Sequence, residues 1–177
     1  IAGGIVVEGL DPFFTQADKA VLQALIDAGC QISIQPTKIE IAPLPLKAFH
    51  FNATDCPDLF PPLVALASVC NGVTKIKGVS RLAHKESDRG LTLQTEFAKM
   101  GVQIELVGDE MLIHGGSLIQ SATVFSQHDH RIAMACGVAA LVANGPIEIT
   151  EAEAINKSYT DLITTNQDQG KSHDFGI

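Results

Sequence analysis

Val73-Thr74-Lys75-Ile76-Lys77-Gly78-Val79 reads as a short strand, and the elements on its C-terminal side decide the fold. An amphipathic helical stretch runs from about Ser87 to Lys99, with Leu91, Leu93, Phe97, Ala98 and Met100 supplying its apolar positions. Gly101 stops the helix before Val102-Gln103-Ile104, and a hairpin then turns through Gly108-Asp109 to Ile113. The same signals occur upstream in the same order: Ile5-Val6-Val7-Glu8-Gly9, a helix from about Gln16 to Ala28, Gly29-Cys30-Gln31-Ile32, and two short strands ending near Ile41. Pro146-Ile147-Glu148-Ile149-Thr150 followed by Tyr159 to Asn166 starts a third copy. A repeat of this period constrains the architecture more than any single element does.

Between the copies lies a second kind of helix, roughly Asp58 to Val69 and Arg131 to Ala143, apolar on nearly every side. Such helices are expected to be buried all round. The unit is therefore strand, buried helix, strand, amphipathic helix, hairpin: a βαβαββ pattern repeated about two and a half times. It predicts an α/β fold in which mixed sheets surround enclosed helices, formed by residues 1–177 as a single domain. No G-x-G-x-x-G or Walker pattern occurs, which counts against dinucleotide or ATP use, and no cofactor is expected.

Bulk composition agrees. A chain of 177 residues with 46% hydrophobic content can bury a full core. Its charged fraction, 18%, is low for a freestanding domain and points to surface that something else covers. The net charge of −8 argues against a general nucleic-acid or anionic-membrane binder, but a few well-placed cations still suffice for a small anion. Cys30, Cys56, Cys70 and Cys136 form no C-x-x-C pair and sit in apolar segments, as free thiols in a reducing cytoplasm would. The longest apolar run, Ile132 to Ala143, is too short for a bilayer. The chain opens Ile1-Ala2-Gly3-Gly4 without an initiator Met or basic leader, as a piece of a longer polypeptide does.

Charge concentrates at four element junctions. Asp55-Cys56-Pro57-Asp58 stands at the mouth of a buried helix, where Pro57 suits the first helical position and Asp58 complements the helix dipole. Lys85-Glu86-Ser87-Asp88-Arg89 crowds two cations and two carboxylates around a helix start, with Ser87 available as its cap. His128-Asp129-His130-Arg131 leads into the second buried helix; Asp129 suits a cap, and Arg131 would point from the core toward a cleft. His-x-His without further ligands is a weak metal signal, so no metal site is expected. Asn156-Lys157-Ser158 precedes the last helix. If the repeats share a pseudo-symmetry, these junctions lie at one end of the molecule. Asp58, Lys85, Glu86, Arg89, Arg131 and Lys157 then face one cleft suited to a small polyanion, with carboxylates or a lysine to move protons.

Asp55-x-Pro57-Asp58, Lys85-Glu86-Ser87-Asp88-Arg89, Asp129-His130-Arg131-Ile132-Ala133-Met134 and Lys157-Ser158, in this order and spacing, resemble the enolpyruvyl transferases, and closely the 3-phosphoshikimate 1-carboxyvinyltransferase (EPSP synthase) family. The resemblance covers nearly the whole chain but only the C-terminal part of such an enzyme. It implies an inverse α/β domain of βαβαββ units that closes on an N-terminal domain absent from this chain. It also implies transfer of the enolpyruvyl group of phosphoenolpyruvate to the 5-hydroxyl of shikimate 3-phosphate, releasing phosphate, in aromatic amino acid (chorismate) biosynthesis. By resemblance Asp58 accepts the hydroxyl proton, Lys85 contacts shikimate 3-phosphate and Glu86 protonates the methylene carbon. Arg89, Arg131 and Lys157 bind phosphoenolpyruvate, with Asp129 and His130 as possible supports. A cytoplasmic, full-length monomer with small-molecule substrates and neither nucleic-acid nor membrane partners is implied, and the fragment alone is expected to be inactive.

The chain departs from the family pattern at Ala83, where many relatives have Arg, at His84, which replaces a common apolar residue, and at Thr160, where Pro is frequent. UDP-N-acetylglucosamine enolpyruvyl transferase is the nearest enzymatic alternative, and the Lys-Glu-Ser-Asp-Arg run argues against it. A binding or structural domain without turnover is the alternative of another class.

Overall fold

The computed structural model describes residues 3–9, 17–42, 44–83 and 88–157, with the side chains of Asn156 and Lys157 outside that description. Among the described residues the elements are β1 (Ile5–Glu8), α1 (Val21–Asp27), β2 (Gln31–Ile34), β3 (Lys38–Ala42), β4 (His50–Asn52), α2 (Phe60–Val69), β5 (Gly72–Lys77), α3 (Arg89–Lys99), β6 (Gln103–Val107), β7 (Glu110–Gly115), β8 (Gln120–Phe125), α4 (His130–Ala140) and β9 (Asn144–Thr150). Short 3-10 turns precede α1 (Ala17–Ala20) and α2 (Pro57–Leu59) and come after β5 (Val79–Arg81) and β9 (Ala152–Lys157).

One βαβαββ unit is complete, from β4 to β7. Its strands lie in the order β4-β5-β7-β6. β4 runs parallel to β5 with His50 opposite Lys75, and β7 is antiparallel to both β5 and β6, with Ile76 opposite Met111 and Ile104 opposite Ile113. The sheet β1-β3-β2 reproduces the second half of that order, and the parallel pair β8-β9 around α4 reproduces its first half. The amphipathic helices of the two copies also end alike. After α1 the amides of Gly29 and Cys30 donate to Ile26 and Leu25 oxygens; after α3 those of Gly101 and Val102 donate to Ala98 and Phe97 oxygens. Gly29 (φ 97°) and Gly101 (φ 84°) take the left-handed conformation this motif requires.

α2 fulfils the expectation of an enclosed helix: Phe60, Pro61 and Leu63 through Ser68 are all buried. It packs against α4 and β7. Gly115 marks the closest approach, since a Cβ there would lie 2.0 Å from the Ala67 oxygen and 2.4 Å from that of Cys70. α4 departs from the expectation. Its Ile132, Ala133, Ala135, Cys136 and Ala139 are buried, but Val138 is exposed. Among the described residues no hairpin comes after β9 as β6 and β7 come after β5.

Several predicted boundaries shift. The described part of the stretch expected as one helix from about Gln16 opens with a 3-10 turn, Ala17–Ala20, and that from Asp58 begins with a 3-10 turn at Pro57. The helix expected from Ser87 starts at Arg89. The last buried helix ends at Ala140 rather than Ala143. The helix expected over Tyr159 to Asn166 lies outside the described residues. No described helix is long and apolar enough to cross a membrane.

Candidate functional site

The segments that begin α2, α3 and α4 converge, as the repeat predicts for equivalent junctions. Arg89, in the first turn of α3, is the hub. Its side chain is 1% exposed, its Nε donates to Asp129 Oδ2 at 2.8 Å, and its Nη1 donates to Asp58 Oδ1 at 2.8 Å. These contacts join positions 31 and 40 residues apart in the chain. A cation so deeply buried needs charged partners, and two carboxylates provide them.

Asp129 is itself fully buried and works in two directions. Oδ2 accepts the hydrogen bond from Arg89 Nε, while Oδ1 accepts from the Arg131 backbone N–H at 2.9 Å and caps α4. Capping by Asp129 is thus as expected, and the same carboxylate fixes the first turn from which Arg131 projects. Arg131 is about one-third exposed; its Nη2 stands 3.2 Å from Asp58 Oδ2 and its Nη1 3.4 Å from the Asp58 carbonyl.

Asp58 keeps the first-turn place that its sequence reading gives it and gains partners that reading does not supply. Pro57 does occupy the first helical position and Asp58 lies in the first turn, where its charge complements the helix dipole. Both of its oxygens also face guanidinium groups, one from α3 and one from α4. The α3 cap is Asp88, which accepts from the Leu91 N–H at 3.2 Å; Ser87, the expected cap, lies outside the described residues. The described part of the site pairs two guanidinium groups with two carboxylates, where the sequence predicts an excess of cations in a cleft.

Of the remaining predicted residues, Lys85 and Glu86 lie outside the described residues, as does the Lys157 side chain. His130 opens α4 half-buried, and its side chain makes no hydrogen bond or ion pair among the described residues. Cys56, beside Asp58, is no thiolate nucleophile: burial first, then the Asp18 and Asp55 carboxylates, push its thiol above the ordinary 9.0.

Sequence reasoning passes over two groups near the cluster. Ser126 is buried, donates its hydroxyl to the Glu151 oxygen at 2.8 Å and accepts from the His128 N–H at 3.1 Å. Gln127 and His128 beside it, and Glu151 opposite, take positive φ of 54°, 57° and 58°. A turn that holds two such residues in succession is strained, as loops beside functional sites often are. The second group is Glu96, which is 1% exposed inside the apolar side of α3. Its position seven residues after Arg89, between Leu93 and Phe97, was the available signal.

The family profile described as EPSP synthase (3-phosphoshikimate 1-carboxyvinyltransferase) matches residues 1–165. The 3-phosphoshikimate 1-carboxyvinyltransferase of Clostridium kluyveri is 37% identical over 156 residues, covering 88% of this chain and 37% of that protein. Its counterpart in Brachyspira hyodysenteriae is 36% identical over 165 residues, covering 92% of this chain and 39% of that protein. Among solved structures, an EPSP synthase from Acinetobacter baumannii superposes with a TM-score of 0.73 at 26% identity, over 90% of this chain and 40% of that one. The chain therefore spans about two fifths of the length of the relatives it matches. Its repeated βαβαββ architecture, its convergent helix starts and a profile match over nearly its whole length place the chain in the EPSP synthase family.

Proposed function

We propose that this chain forms the C-terminal, phosphoenolpyruvate-binding part of an enzyme that transfers the enolpyruvyl group to the 5-hydroxyl of shikimate 3-phosphate and releases phosphate. The observation that carries the reading is the Asp58–Arg89–Asp129–Arg131 network, which gathers four of the expected site residues from three separate helix starts. In this reading Arg131, held by longer contacts than Arg89, exchanges Asp58 for an oxygen of phosphoenolpyruvate. Asp58, released from that contact, accepts the hydroxyl proton as the oxygen attacks C2. Glu86 donates a proton to the methylene carbon, and Lys85 contacts shikimate 3-phosphate.

The tetrahedral intermediate bears a carboxylate and a phosphate on one carbon. Arg89, Arg131 and Lys157 supply the positive charge that its formation calls for. Closure of an N-terminal domain over the site excludes water and strengthens each of these interactions. The isolated chain is inactive in this reading because it supplies only one wall of the cleft. The complete enzyme is a cytoplasmic monomer without a cofactor.

The test is phosphate release from phosphoenolpyruvate and shikimate 3-phosphate by the complete polypeptide carrying this segment. The expected result is turnover that Glu86→Gln and Lys157→Met together abolish. Full activity in that double variant would overturn the assignment, as would the absence of any thermal stabilisation by the two substrates.

A further inference from the structure

We propose that Glu96 is a positioning residue, whose buried carboxylate clamps the end of β8 to α3 and so sets the place of the loop that delivers Asp129 and Arg131. Glu96 Oε2 accepts from the Phe125 backbone N–H at 2.8 Å and from Lys99 Nζ at 2.6 Å. Phe125 is the last residue of β8, and its N–H faces away from the ladder: the next amide, that of Ser126, is the one that reaches Thr150 of β9, at 3.2 Å. Among the described residues no strand lies on the other side of β8. The Phe125 N–H is thus a part-buried edge donor that secondary structure leaves unserved, and the Glu96 carboxylate serves it.

Geometry makes this contact one of a pair. Arg89 and Glu96 are seven residues apart, two helical turns or about 10 Å along one face of α3. Arg89 grips Asp129 and Glu96 grips Phe125, so α3 holds the segment 125–129 at both ends. Between these anchors lie Gln127 and His128 with positive φ. A strained turn keeps one shape only when its ends are fixed, and the Glu96 contact fixes the end that Arg89 does not. Lys99, 41% exposed, compensates the charge of Glu96 and reaches no other part of the loop among the described residues.

Reach and charge separate in two variants. E96Q keeps the length and an acceptor oxygen but loses the charge, whereas E96D keeps the charge and withdraws the carboxylate by one methylene, about 1.5 Å. Positioning predicts that amide hydrogen exchange at Phe125 in E96D is on the order of tenfold faster, with acceleration spreading over residues 126–131, while E96Q stays within about threefold of the parent. The reverse order would assign the effect to the Lys99 ion pair and overturn the proposal, as would unchanged exchange in both folded variants. Should E96D fail to fold, E96Q decides alone: slow exchange at Phe125 upholds the clamp and fast exchange removes it.

The second arm rests on the functional reading above. In the complete transferase E96D is expected to raise KM for phosphoenolpyruvate about tenfold with little change in kcat, because misplaced Arg131 weakens ground-state binding. A merely destabilised enzyme loses active molecules, and with them apparent kcat, at unchanged KM; that result would overturn the proposal. If the complete protein shows no transferase activity, the functional reading fails, and the exchange arm still judges the clamp.

Discussion

Asp129→Ala tests whether the buried pair with Arg89 organises the site. Asp129 is 0% exposed and Arg89 1%, so the substitution removes one of the two carboxylates that pair, among the described residues, with a guanidinium that water cannot reach. Removing one partner of a buried ion pair costs about 3–5 kcal/mol, and Asp58, which remains on Nη1, places this case at the lower end. Loss of the cap on α4 adds about 1 kcal/mol. The sum is about 4 kcal/mol, a large share of the roughly 5–15 kcal/mol that stabilises a domain. For a domain of this size that lowers Tm by about 8–16 °C. Asp129→Asn keeps one acceptor oxygen, which can serve the cap or Arg89 but not both, and is expected to cost about 2 kcal/mol. Urea unfolding followed by far-UV circular dichroism is the suitable assay, because the chain has no Trp and one Tyr. Adding Arg89→Met to Asp129→Ala should cost less than the two single losses together, since the uncompensated charge leaves with the arginine. A loss below about 1 kcal/mol for Asp129→Ala, or strict additivity in that cycle, would refute the reasoning.

Local geometry sets three further outcomes. Gly115→Ala places a methyl 2.0 Å from the Ala67 backbone oxygen, which cannot yield as a side chain can. We expect a loss of more than about 3 kcal/mol or no folded protein, and a cooperative melt near that of the parent would contradict the packing of β7 on α2. Burial pushes the Cys136 thiol up to about 12 and that of Cys70 up to about 11. Both should resist a thiol reagent at pH 8 until the chain unfolds, and equal rates for all four native cysteines would contradict this. The unfolded thiols ionise first, near 9.0, so these two groups make stability fall as pH rises above 9 toward 11 and 12. Asp109 accepts from the Ser80 backbone N–H and then its hydroxyl, with Lys77 adding attraction, and its carboxyl is held below the ordinary 3.8. Its contribution is present above the unfolded value and lost as pH falls through the lower folded one; an NMR titration midpoint at or above 3.8 would refute it.

The repeat was legible because its signals are local. Gly29 and Gly101 stop helices through contacts within six residues, and the all-apolar run of α2 announces burial without knowledge of its partners. Boundaries were less legible. The start of α3 depends on whether Ser87 or Asp88 turns its side chain to the first amides, and both residues are competent caps. Exposure of Val138 was hidden because the apolar sequence of α4 does not say how many neighbours cover it.

By itself the sequence determined the unit, the order of its strands and helices, and the identity of the charged residues at each junction, because periodicity, caps and turn residues act over a few positions. Only the tertiary structure decided their partners. Asp58 reads locally as a dipole-complementing residue and becomes the link between two arginines 31 and 73 residues away. Glu96 reads as one more charge on an amphipathic helix and becomes a buried acceptor for a strand edge. Charge pairing depends on which helix starts the packed core brings close enough for their guanidinium and carboxylate atoms to meet at about 3 Å, a distance at which Coulomb attraction is strong.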